Sequence, residues 1–250
     1  MTDGAAEARE RRFYDQVAGA LASDELSRRA PDSYDRAILE AVGQLSGRRV
    51  LEPGCGAGDL SLGLLDRGAV LTGLDVSPGM IDVARTRVER LAPGASARWL
   101  AAPLEETGLP SDAFDLVVGK WVLHHADVER AAAEVHRVLR PGGVAVFFEN
   151  QARNSLLAVS RRRLLRSRAL ARVGTEDERP LDRGDLDALR RLFLRVDEEY
   201  PSLYLLELFS RSILRYRGHR WWQRADAWLW RRVPRLRPYG YHVLLRLTKG

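Results

Sequence analysis

Apolar positions change their spacing along the chain, and those changes mark its elements. Residues 5–22 and 33–45 carry apolar side chains at helical intervals and read as two leading helices. Beyond them, short apolar runs alternate with helical stripes. Arg48 to Glu52 reads as a strand, 59–66 as a helix and Ala69 to Asp75 as a second strand. Ser77 and Pro78 supply an N-cap and a proline at the first helical position. The helix they open runs to about Leu91, with Met80, Ile81, Ala84 and Val88 on one stripe. Ala97 to Ala101 and Phe114 to Val118 are strands three and four. Val128 to Leu139 is an amphipathic helix with Val128, Ala131, Ala132, Val135, Val138 and Leu139 inward. Arg140-Pro141-Gly142-Gly143 stops it, and Val144 to Phe148 is a fifth strand. This βαβ rhythm predicts an α/β fold, a doubly wound parallel sheet with helices on both faces.

After Glu149 the rhythm breaks. Residues 154–172 read as a basic helix, and Asp182 or Asp185 opens another through Leu186, Leu189 and Leu192. Leu194 to Tyr200 is a sixth strand. Tyr241 to Leu247 alternates as a last one, with His242, Leu244 and Arg246 on one side and Val243, Leu245 and Leu247 on the other. Between them Ser202 to Pro234 is mostly helical and rich in aromatic residues. A helical insertion before a final strand is where a substrate cap would sit. The expected organisation is N-terminal cap helices at 1–45, a ligand-binding core at 46–150, and at 151–250 the rest of the same domain with an insertion at about 202–234.

Composition narrows the class. The 250 residues can bury one sizeable core, and 45% apolar with 30% charged residues is the balance of a soluble globular protein. The single cysteine, Cys55, excludes an internal disulfide and points to a reducing, cytoplasmic compartment. Cys55 reads as a small filler of the turn in which it lies. The first residues lack the apolar stretch of a signal peptide, and no run reaches the ~18 apolar residues of a membrane span. The net charge of +6 is unevenly spread. Residues 151–250 hold 23 of the 40 Lys+Arg and 11 of the 34 Asp+Glu, a balance of +12, which leaves −6 for residues 1–150. An anionic substrate, a membrane surface or a nucleic acid would each suit the basic half, and so would a solvated arginine surface.

The chemistry is concentrated in Val50-Leu51-Glu52-Pro53-Gly54-Cys55-Gly56-Ala57-Gly58-Asp59. An apolar strand, an acid and three alternate glycines open a helix, and a second acid, Asp75, ends the next strand. That is the layout of a nucleoside-binding half-site, in which the acid accepts from the ribose hydroxyls. A dinucleotide fingerprint places its third glycine at the sixth position. Here that position is Asp59, which repels a pyrophosphate, so the spacing favours a nucleoside with a cationic tail.

On these residues the chain resembles the class I S-adenosylmethionine-dependent methyltransferases, over about residues 45–150. The resemblance implies a Rossmann-like sheet of seven mostly parallel strands with an antiparallel last strand. It implies S-adenosylmethionine as cofactor. Glu52, Gly54, Gly56 and Gly58 would face its methionine part and Asp75 its ribose, while Val76 and Met80 would flank adenine. Ala102 and Pro103 stand where the family usually carries Gly-Asp, so adenine would be held by backbone groups, by Glu105 or by apolar contact. Gly119 continues the pocket at the end of the fourth strand. Residues 114–125 and 137–143 also match, and the whole resembles the small-molecule branch that contains quinone and natural-product methyltransferases.

Transfer from a sulfonium needs chiefly an aligned nucleophile and excluded water. A phenol, amine or carbon acid also needs a base, so His124 and His125, just past the fourth strand, are the candidate catalytic residues. Tyr14, Lys120 and Trp121 are candidate substrate contacts, and Phe13-Tyr14 a candidate lid. The other histidines, His136, His219 and His242, are scattered and suggest no metal site. Gly119-Lys120-Trp121-Val122 lacks the Asn/Asp-Pro-Pro-aromatic signature of nucleic-acid amino-methylating enzymes. The expected partner is therefore a small aromatic or lipophilic molecule, without nucleic acid or membrane insertion. Peripheral membrane contact stays open, because four tryptophans lie among arginines at 217–232. An alternative is a catalytically silent S-adenosylmethionine-binding module that docks through its basic half.

Overall fold

A computed structural model describes residues 4–21, 31–152, 179–203, 206, 210 and 218–250. Helices α1 (Gly4–Ala20) and α2 (Ser33–Val42) lead into β1 (Arg49–Pro53), α3 (Asp59–Leu65), β2 (Val70–Asp75), α4 (Pro78–Leu91) and β3 (Ala97–Ala101). Then come β4 (Phe114–Lys120), α5 (Val128–Val138), β5 (Leu139–Asn150), α6 (Arg183–Leu192), β6 (Arg195–Glu199), α7 (His219–Arg232) and β7 (His242–Thr248). The seven strands form one sheet in the order β3-β2-β1-β4-β5-β7-β6. The pairs from β3 through β5 are parallel, and β7 runs antiparallel to both β5 and β6.

The sheet is covered on both faces, so its central strands are continuously apolar. Successive residues of β4 serve opposite layers: Val117 joins Leu51, Phe147, Leu245 and the inward stripes of α5 and α6, among them Val135 and Leu189. Leu116 and Val118 join Val50, Leu71, Phe148, Ile38 of α2 and Leu64 of α3. Local signals fix the helix starts. Ser77 caps α4 by accepting from the Met80 N–H, and Asp32 and Asp182 form capping boxes with Asp35 and Asp185.

Strand order reverses between β1 and β4. Chain direction changes sides there, and the carboxyl ends of these strands leave a crevice between their loops. The junction of α5 and β5 differs most from expectation. Helix α5 ends at Val138, and β5 begins at Leu139 rather than Val144. Leu139 pairs with Phe114 and Val144 with Leu116, so the Arg140–Gly143 stop signal is absorbed as a bulge, with Gly142 at φ 71°. The expected basic helix at 154–172 lies outside the described residues, as does part of the 202–234 insertion.

Candidate active site

The turn after β1 sets the crevice. Gly54, Gly56 and Gly58 all have positive φ, which side-chain-bearing residues rarely adopt. At Gly54 an added Cβ would lie 3.0 Å from Val122, whereas at Gly56 it would meet nothing within 4 Å, so the turn opens onto free space at Gly56. The Gly56 N–H donates to Asp75 Oδ2 at 2.9 Å, and the Ser77 N–H donates to Oδ1 at 2.9 Å. Each oxygen therefore keeps acceptor capacity. Burial raises the Asp75 pKa against these two bonds, which lower it.

Glu52 is 2% exposed and accepts from Ser61 Oγ at 2.5 Å. Burial pushes its carboxyl up to about 8, opposed by the Ser61 bond and the charge of Lys120. Cys55 is buried, and desolvation with the neighbouring Glu52 and Asp75 holds its thiol well above the usual range, the state of a filler and not of a nucleophile. Asp59, which the spacing sets against a pyrophosphate, is paired with Arg87 at 2.7 Å, so the acidity of the crevice rests on Glu52 and Asp75.

Both histidines follow β4 on a 3-10 turn, Leu123–His125, with ring centroids 4.2 Å apart. His124 is 6% exposed and its Nδ1 lies 2.7 Å from Glu149 Oε2. Glu149 Oε1 accepts the N–H groups of Val122 and Leu123, each at 2.8 Å. Glu149, fully buried at the end of β5, therefore fixes both the turn and the imidazole. His125 Nδ1 lies 3.2 Å from Glu10 of α1, and its ring meets that of Tyr14 at 6.1 Å. On the same helix Asp15 Oδ1 accepts from Ser77 Oγ at 2.5 Å and from the Gly79 N–H at 3.1 Å. Helix α1 thus spans the loops after β2 and β4.

The remaining candidates divide. Met80 is buried in the first turn of α4, Val76 and Pro103 are half-buried, and the Ala102 N–H donates to the Asp75 carbonyl. These stand around the end of β2. Glu105 accepts from the Asp127 N–H at 2.9 Å and caps the approach to α5. A Cβ on Gly119 would lie 2.7 Å from both Phe147 and Val122, so packing accounts for that glycine. Lys120 donates to Asp35 at 2.6 Å, and Trp121, at φ 55°, packs with Tyr34 and Phe148. Both therefore lean toward α2.

Glu149, Asp15 and Glu10 escaped the sequence reading. Glu149 had a legible signal, an acid ending the apolar run Val144 to Phe148. Asp15 and Glu10 had none, because α1 carries acids and arginines all round.

Residues 51–147 match the family model described as "Methyltransferase domain". Over these residues the chain is similar to the methyltransferases. It is 37% identical over 130 residues to a malonyl-[acyl-carrier protein] O-methyltransferase of Serratia marcescens, covering 48% of this chain and 49% of that one. It is 35% identical over 119 residues to a demethylmenaquinone methyltransferase of Thermus thermophilus, covering 46% and 53%. The chain spans about half the length of the curated relatives it matches. Among solved structures, the [4+2]-cyclase SpnF superposes with a TM-score of 0.63 at 20% identity, over 96% of this chain and 94% of that one. A Haemonchus contortus phosphoethanolamine N-methyltransferase 2 in complex with S-adenosyl-L-methionine gives 0.59 at 18%, over 96% and 60%. At such identities these two likenesses establish the fold alone. The crevice fits the expected cofactor, S-adenosylmethionine: a glycine with open space before it, an acid with spare acceptor capacity and a buried carboxyl for a cation.

Proposed function

We propose that this protein transfers the methyl group of S-adenosylmethionine to an O, N or C atom of a small aromatic or lipophilic molecule. The observation that carries the reading is the Gly56–Asp75 clamp at the strand-order reversal. It holds a carboxylate where two ribose hydroxyls can donate to it, beside a turn open to a ligand. When bound, the cofactor supplies an electrophilic methyl on a sulfonium, with a good leaving group.

The chain's residues do the rest. Asp75 binds the ribose hydroxyls and Glu52 faces the cationic end. Helix α1, tied to both flanking loops through Asp15 and Glu10, keeps water out. His124 takes the acceptor's proton at Nε2, because Glu149 holds the proton on Nδ1. The O-methyltransferase relatives favour an oxygen acceptor, and Tyr14, whose ring meets that of His125, favours a planar one.

Titration calorimetry with S-adenosylmethionine tests the clamp. Asp75→Ala is expected to weaken binding at least roughly tenfold, from loss of a charge-assisted pair of bonds. Unchanged affinity removes Asp75 from the site. A second reading, a silent cofactor-binding module, is favoured by Ala102 and by Glu105 being tied to Asp127, which leave adenine without an acid. Binding without methyl transfer to any of a panel of phenols, quinols and amines would select it.

A further inference from the structure

Helix α7 has two unlike sides. Its inner side is pinned: Asp226, the helix's one acid, accepts from the Leu206 N–H at 3.1 Å, and Trp230 Nε1 donates to the Tyr200 carbonyl at 2.7 Å. The Arg237 guanidinium lies 4.4 Å from the Trp230 ring centroid. Its outer side exposes Trp221 and Trp228, 63% and 59% accessible. Seven residues apart, they share one stripe about 10 Å long. Arg224 and Arg231 follow each of them by three residues, Arg232 follows the second by four, and Arg220 precedes the first, all exposed. Two large aromatic side chains thus stand in water, ringed by four arginines, with no acid on that side of the helix. The core does not require this arrangement, and exposing two tryptophans is costly.

We infer that the outer side of α7 docks on the surface of an anionic lipid bilayer. Indole rings settle at the depth of the headgroups, and arginines at the flanks reach anionic phosphates while their stems stay in the apolar zone. Trp221 and Trp228, both exposed on one side of the helix, suit a soft interface. A single-stranded nucleic acid would instead need a groove along which bases stack in succession. Among the described residues no helix is long and apolar enough to cross a membrane, so the contact is peripheral. Docking would place the domain beside a reservoir of lipophilic acceptors. The inference itself stands on α7 alone and does not depend on methyl transfer.

Co-sedimentation of the full chain with vesicles tests it. Binding is expected to vesicles of phosphatidylcholine mixed with phosphatidylglycerol, to fall with added salt, and to be weak with phosphatidylcholine alone. Arg224→Ala with Arg231→Ala should weaken it roughly 30-fold, from about 1 kcal/mol per arginine. Trp221→Ala with Trp228→Ala should weaken it at least roughly tenfold and abolish quenching of tryptophan fluorescence by brominated acyl chains. All four residues are exposed, so both variants should keep the wild-type thermal midpoint. The inference is overturned if the anionic vesicles fail to sediment the protein, or if both variants retain wild-type affinity. It is likewise overturned by binding to a single-stranded oligonucleotide that such vesicles do not compete.

Discussion

Replacing Glu52 by glutamine reads the crevice through the stability of the protein. In the unfolded chain this carboxyl titrates near 4.5, and in the fold burial raises it to about 8. The folded state holds the proton more tightly. Glu52 therefore contributes stability that is complete below pH 4.5 and is lost as pH rises through 8. At about 1.36 kcal/mol per pH unit, the loss comes to about 5 kcal/mol in all and about 3 kcal/mol by pH 7, a sizeable share of a domain's stability. Glutamine keeps an oxygen to accept from Ser61 Oγ and carries no charge. The variant should match the wild type near pH 4.5 and exceed it by about 3 kcal/mol at pH 7, a rise in melting temperature of roughly 6–12 °C. Urea or thermal unfolding of both proteins between these pH values measures it, and the difference between them cancels the titrating groups that Glu52 does not influence. Parallel profiles would refute the reasoning. The same carboxylate predicts that binding the cationic cofactor expels a proton. That is read as a binding enthalpy that varies with the ionisation enthalpy of the buffer, and Glu52→Gln should erase the variation.

Other expectations follow from single contacts. His124→Ala should lower turnover about 10²–10⁴-fold with cofactor affinity near wild type. Glu149→Gln should do so less severely while displacing the pH–rate profile, and a normal profile would remove the pair from proton transfer. Gly79→Ala places a Cβ 3.0 Å from Asp15 Oδ1 and 3.2 Å from Ala18 Cβ. It should speed amide hydrogen exchange in α1 while leaving β1 to β5 protected, at a cost of about 1–3 kcal/mol. Burial lowers His242 from 6.5 to about 4, so its contribution to stability is full above pH 6.5 and is lost as pH falls through 4. His242→Phe should flatten that acid limb by about 3 kcal/mol, as measured by urea unfolding at each pH.

The parallel core was legible because each of its elements carries a local signal. Ser77-Pro78 announces α4, Asp182 or Asp185 announces α6, and the apolar runs at Val50-Leu51 and Leu116-Val117-Val118 suit strands buried on both faces. Asp75 was legible for the same reason, since a glycine turn and an acid at a strand end are tied by chain geometry. The β5 boundary was not. Arg140-Pro141-Gly142-Gly143 reads as a stop, and only the partner Phe114, 25 positions back, reveals that Leu139 is already extended. Lys120 read as a substrate contact because it ends β4 at the crevice. Its engagement with Asp35 depends on where α2 packs, which no local pattern encodes. Glu149 is marked locally as an acid ending an apolar run, but its partner lies 25 positions back, and Asp15 matters through a partner 62 positions away that no local rule reaches.

The position of β7 has a consequence for how the chain is made. Segment 195–199 finds its neighbour in β7, and β7 in turn seals the open flank of β5. Residues 242–248 are the last of the three segments to be made. Until then the growing polypeptide exposes two raw sheet edges, and a premature stop before residue 242 would strip away not one ribbon but the seating of a second. Nonsense products of this gene should therefore be sticky and short-lived, even though every candidate cofactor residue would already have been synthesised.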